Sequence, residues 1–183
     1  MLAALVQGPL LRLVSVGLIL VGLQTTLFTD LRPFGVSVQI VLALAAACGA
    51  AAGSNSGALA GFVLGLMYDL GVGTPLGSSA ISMGVAGFVA GYITLITIER
   101  HWWLAALFTG LGAAVGELLV PTVRAFIGEQ RAFTPRLFTV IPVVAVAAMV
   151  MSPLLVPIGR WCMRVRITDL RASIDRVDVA ARR

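Results

Sequence analysis

The sequence predicts an all-α integral membrane protein, a compact bundle of six transmembrane helices. Three observations carry that expectation. Mean hydropathy is +1.02 and only 11% of the 183 residues are charged, where a soluble domain carries about a quarter. Charge is missing over whole stretches: no acid or arginine lies between Arg32 and Asp69, between Asp69 and Glu99, or between Arg136 and Arg160. Such runs are long enough to cross a bilayer, because a span needs about 20 apolar residues at about 1.5 Å rise each. The breaks between the runs are short, so consecutive helices should be antiparallel neighbours. No stretch has room for a soluble domain.

The expected spans are Leu10–Phe28, Phe34–Gly53, Gly57–Val72, Leu76–Ile98, Trp102–Phe126 and Leu137–Gly159. The cuts fall at TDLRP, SNSG, GTP, ERH and GEQRAFTPR, which are clusters of Gly, Pro or polar residues. The first span has Arg12 ahead of an apolar run, as a signal peptide would. It ends GLQTTLF with no small-residue cleavage site, so a retained helix is expected. Cys48 and Cys162 are the only cysteines and read as small apolar residues rather than a disulfide.

The third span carries a series that asks for an explanation: Gly57, Gly61, Gly65 and then Asp69, each four residues from the last. Residues four apart share one helix face, so the glycines form a groove where another helix can approach closely. Lipid supplies little hydrophobic drive between helices, and small residues provide the packing instead. Gly84, Gly87 and Gly91 repeat the device in the fourth span, and Gly110, Gly112 and Gly116 in the fifth. Whether the groove receives a helix of this chain or a partner's span is open at this stage.

Asp69 lies about 18 Å along the helix from Gly57. A carboxylate facing lipid there costs several kcal/mol, so it should face the bundle or a wet cavity. Glu117 and Arg124 are the other buried charges expected, seven residues apart on the fifth span with Pro121 between them bending the helix. Arg124 could pair with Asp69 or with Glu117. The segment LGVGTPLGSS, after Asp69, must turn the chain sharply, either as a tight outer turn or as broken backbone lining a binding site.

All 13 basic residues are arginines, and seven follow Gly159. The chain divides accordingly into a transmembrane domain, residues 1–160, and an Arg-rich amphipathic tail, residues 161–183. The bias of basic residues toward the cytoplasm places this tail and the N-terminus inside. In the tail, Ile167, Leu170, Ile174 and Val177 form a helix stripe. From Arg160 onward, seven arginines against three aspartates give net +4, suited to anionic lipid or to a cytoplasmic partner.

Little here supports chemistry. The one histidine, His101, is expected in a loop on the opposite side from the buried acids, so no Ser/His/Asp set can assemble. No Cys/His cluster could hold zinc, and a phosphate loop of the G-x-x-x-x-G-K type needs a lysine that the chain lacks. No catalytic residue, metal, cofactor or nucleic-acid partner is expected.

The run GFVLGLMYDLGVGTPLGSSAISMGVAGFVAGY, Gly61–Tyr92, resembles the rod shape-determining protein MreD family. The family pattern is G-F-x-x-G-L-x-x-D, a turn with P-L-G, then a glycine-bearing helix. Here the matching residues are Gly61, Phe62, Gly65, Leu66 and Asp69, with Pro75, Leu76 and Gly77 in the turn. LQTTLF, Leu23–Phe28, is similar to the family's N-terminal pattern; the Arg-rich tail and the Glu117/Arg124 pair have no counterpart in it. The resemblance implies a non-enzymatic scaffold of the bacterial elongation complex in the inner membrane. Its implied partners are an MreC-type protein, a RodA-type glycan polymerase, a class B penicillin-binding transpeptidase and the MreB filament. The family's bundle is also similar to the substrate-binding components of energy-coupling-factor vitamin transporters. That is the rival reading, with Asp69, Asn55, Gln39, Gln24, Tyr68 and Tyr92 as candidate pocket residues.

Overall fold

The computed structural model describes residues 8–26, 39–96, 101–126 and 137–164, apart from the side chain of Arg124. The breaks at TDLRP and GEQRAFTPR and nearly all of the tail lie outside these residues, as do Glu99 and Arg100 of ERH. Among the described residues every element is helical: α1 (Pro9–Thr26), α2 (Ile40–Ala52), α3 (Ser54–Val72), α4 (Ser78–Gly91), α5 (Ile93–Ile96), α6 (Trp102–Phe126) and α7 (Leu137–Met163).

Four segments are long and apolar enough to cross a bilayer: Pro9–Thr26, Ser78–Ile96 (α4 with α5), Trp102–Val123 and Leu137–Met163. The other two expected spans do not meet that description. α2 has only 13 residues, about 20 Å of helix. α3 has 19 residues, but it opens with Ser54, Asn55 and Ser56 and carries Asp69, which lower its hydropathy.

α2 is the pillar of the bundle. Every residue from Ile40 to Ala51 is buried, and α3, α4, α6 and α7 all pack against it. A helix that is apolar all round is a buried helix, and IVLALAAACGAAA has no polar face. Its alanines and Gly49 also keep it thin, so four neighbours can crowd round it. Cys48 and Cys162 are both buried free thiols, in line with their apolar reading. α1 sits at the edge and buries one stripe: Leu13, Gly17, Val21 and Gln24.

The glycine groove of α3 is filled from within the chain. A Cβ at Gly61 would collide with the Met83 carbonyl on α4, and one at Gly65 with the Ala80 backbone. Gly57 meets both Gly49 on α2 and Gly87 on α4. Gly87 answers it by lying against the Gly57 carbonyl, and Gly91 lies against Ser54. The two stripes therefore interlock backbone to backbone. The third set does not form one groove: Gly112 and Gly116 face Ala86 and Ala90 of α4 or its neighbours, whereas Gly110 faces Met149 on α7. Two residues apart on a helix is about 200° of rotation, which is why Gly110 and Gly112 diverge.

This packing sets a sharp expectation. Gly61→Leu is expected to cost about 3 kcal/mol or more through overpacking against a carbonyl that cannot move away. Leu59→Ala, on the exposed face of the same helix, should leave stability within about 0.5 kcal/mol. Thermal unfolding of both variants in detergent, followed by circular dichroism, measures the difference.

Candidate functional site

The bundle has one end where α1, α3 and α6 finish and α2, α4 and α7 begin. Each starting helix presents N–H groups with no intrahelical partner, and in an apolar surround these need acceptors. Two of the three starts receive one from a neighbouring helix.

Asp69, 1% exposed, serves α4. Its carboxylate accepts from the Thr74 hydroxyl at 2.7 Å, the Gly77 N–H at 2.9 Å and the Ser79 N–H at 3.2 Å, with the Ser78 hydroxyl at 3.4 Å. This is a helix N-terminus capped by a carboxylate from the preceding helix, favoured both by hydrogen bonding and by the helix dipole. The main chain joins in, since the Gly73 N–H donates to the Asp69 carbonyl at 2.9 Å. Gly73 and Gly77 adopt left-handed φ values of 76° and 96°, which a glycine accepts without strain. The segment after Asp69 is thus a tight turn with Gly73, Pro75 and Leu76 exposed. Among the described residues the partners of Asp69 come from the turn and from the start of α4; its expected pairing with Arg124 falls on a side chain outside those residues.

Gln24 serves α2. Its Oε1 accepts from the Val41 N–H at 3.1 Å, while Nε2 donates to the Tyr68 hydroxyl at 3.5 Å. Gln39, the residue ahead of α2, donates through Nε2 to Glu117 Oε2 at 3.0 Å, so the 8% exposed Glu117 is tied to α2. The pairing of Glu117 with Arg124 falls on a side chain outside the described residues.

Between these groups lies a cleft of about 350 Å³. Gln39, Tyr68, Thr74, Ser78, Ser79 and Ser82 supply its polar wall, and Leu42, Val72, Met83 and Val120 its apolar one. The hydroxyl hydrogens of Thr74 and Ser78 point to Asp69, and that of Ser82 to the Ser78 carbonyl at 2.9 Å. Their lone pairs face the cleft as acceptors, while the Tyr68 hydroxyl and the Gln39 amide bring donor hydrogens to the same wall, so the wall offers both acceptors and donors.

Of the residues singled out in the sequence, Gln24, Gln39, Tyr68, Asp69 and Glu117 converge here. Asn55 stands exposed at the start of α3, at the other end of the bundle. Tyr92 is 45% exposed and packs edge-on against Phe88, away from the cleft. Phe62 is 42% exposed, Leu66 is half-buried and Pro75 exposed. Sequence reasoning missed Thr74, Ser78, Ser79 and Ser82. The signal was the serine pair directly after P-L-G, nine and ten residues beyond a buried acid. Among the described residues no group of three His, Cys, Asp or Glu could hold a metal ion.

Asp69→Ala would leave two N–H groups and two hydroxyls without this acceptor, at about 1–3 kcal/mol for each buried group. We expect Asp69→Ala to lose about 3 kcal/mol or more and Asp69→Asn, which keeps one oxygen, to lose about half as much. Unfolding midpoints in detergent check the order. Compared with known proteins, the chain matches no family model, no curated sequence and no solved structure.

Proposed function

We propose that the chain is a non-enzymatic membrane scaffold that helps organise side-wall peptidoglycan synthesis, as its resemblance to the MreD family implies. In this reading it crosses a bacterial plasma membrane six times, with α2 and α3 counted as spans inside the bundle. Both termini lie in the cytoplasm. The partners are an MreC-type protein and the polymerase–transpeptidase pair, with the MreB filament on the cytoplasmic side.

The observation that carries the reading is that the residues of the resemblance act as one unit. Gly61 and Gly65 seat α4, Asp69 caps it, and Gly77 makes the turn that lets it do so. The pattern therefore describes an α3–α4 hairpin, whose turn, at Thr74 and Pro75, also lines the cleft. Between the buried positions that hairpin leaves an apolar outer face of Leu59, Phe62, Ile81 and Phe88, all at least 39% exposed. A rigid apolar ridge is what a neighbouring span packs against.

The cleft, with its polar and apolar walls, favours a second reading, a substrate-binding membrane subunit of a vitamin-type transporter. Sites for small molecules combine an apolar lining with a few convergent polar groups, and the cleft has both.

A pull-down of the tagged full chain from native membranes separates the two. The scaffold reading expects an MreC-type protein or the polymerase pair, with recovery falling at least about fivefold for Phe62→Ala, an anchor at the ridge. Recovery of a coupling subunit with ATPases would replace it by the transporter reading.

A further inference from the structure

The end of the bundle opposite the cleft carries a feature that neither reading uses. Between α1 and α7 runs an apolar groove of about 490 Å³, lined by Val16, Ile19, Leu20, Pro157, Ile158 and Trp161. Arg12 closes its end: one helical turn before Val16, it holds its guanidinium over the Trp161 ring, 5.1 Å from the centroid. One Arg12 N–H donates to the Trp161 carbonyl at 3.4 Å. A guanidinium has five such donors, and no carboxylate faces this one among the described residues. Arg164, exposed, follows Trp161 by three residues and lies just past the end of α7. Both described carboxylates, Asp69 and Glu117, sit at the far end of the bundle.

An apolar trough about one helical turn long, with a fixed arginine a further turn along α1 and an interfacial tryptophan beside it, has the layout of a phospholipid's headgroup end. The trough takes an acyl chain, and the cations meet the phosphate at headgroup level. We propose that the α1–α7 groove is a binding site for one anionic phospholipid, its phosphate on Arg12 and Arg164 and a chain along Ile19, Leu20 and Ile158. Charge complementarity selects an anionic lipid over a zwitterionic one. The cation–π contact holds Arg12 in place, so little side-chain freedom is lost on binding.

Native mass spectrometry of the detergent-extracted full chain, with added phosphatidylglycerol or phosphatidylcholine, tests this. One phosphatidylglycerol should stay bound to the wild-type chain in preference to phosphatidylcholine. Arg12→Ala should reduce the bound fraction about fivefold, the factor one arginine contributes beside an anionic surface. Ile19→Trp, which fills the trough without touching charge, should reduce it comparably. Circular dichroism confirms that each variant is folded, and Arg12→Lys, which keeps the charge, should retain more lipid than Arg12→Ala. Retention indifferent to both positions but lost when Arg166, Arg171 and Arg176 become Gln would assign the lipid to the tail and overturn the proposal. So would equal retention of phosphatidylcholine, or a dimer that Ile19→Trp disrupts, which would make a second copy the occupant.

Discussion

The structure depends on one buried carboxylate. Asp69 stands on α3, and its hydrogen-bond donors stand on the turn and the first residues of α4. A single side chain thereby fixes the register of two helices against each other. That register is what the glycines require. A slip of one residue turns a helix by about 100°, which would swing Gly61 and Gly65 away from Met83 and Ala80 and put side chains against those carbonyls. The charge and the missing side chains are two halves of one device. Glycines permit the close approach, and the aspartate selects which close approach is made.

The same logic extends to α2. A helix buried on all sides in an apolar bundle cannot send its first N–H groups to water, so Gln24 reaches across from α1 to Val41. Gln39 reaches outward to Glu117 and anchors α6. Four of the buried polar side chains described, Gln24, Asp69, Ser82 and Glu117, thus gather toward the end where α2 and α4 begin and helical backbone has unmet donors, while Thr109 and Ser152 lie mid-helix. The cleft is a by-product of this concentration. Side chains recruited to satisfy the backbone leave acceptor lone pairs around a space that the short turn does not fill.

Helical class, the inward direction of Asp69 and the use of glycine for close approach were all legible in the sequence, because each follows from the cost of polarity in lipid and from a spacing of four. The central place of α2 was not. An Ala-rich apolar run reads the same whether lipid or protein surrounds it, and only its shortness and its run of alanines after Leu44 distinguish it. Nor were the partners of Asp69 legible, since Thr74, Gly77 and Ser79 meet it only through the left-handed geometry of Gly73 and Gly77. The grouping of Gly110 with Gly112 failed for a simpler reason, that residues two apart point to opposite sides. The cleft draws its wall from four helices, α2, α3, α4 and α6, and no local pattern announces a surface assembled that way. Arg12 and Trp161, nearly the length of the chain apart, were likewise unconnected until the fold placed α1 beside the end of α7.

Along its axis the bundle is polarised. Asp69, Glu117 and the cleft lie at one end; Arg12, Arg160 and Arg164 lie at the other with Trp102, Trp103 and Trp161, all three tryptophans of the chain. Basic residues favour the cytoplasmic side and tryptophans the headgroup boundary, and in the scaffold reading proposed above, with both termini in the cytoplasm, the cleft lies in the outer half. The side walls are a third surface, apolar and held rigid by the α3–α4 hairpin. A scaffold works through the walls, a ligand through the end, and an anionic lipid through the seam at the arginine end. Because these surfaces share few residues, the readings offered here do not compete for the same side chains. Asp69 is the exception: it lies beneath the hairpin ridge and behind the cleft wall at once, so loss of partner binding in an Asp69 variant says nothing by itself about which surface a partner uses.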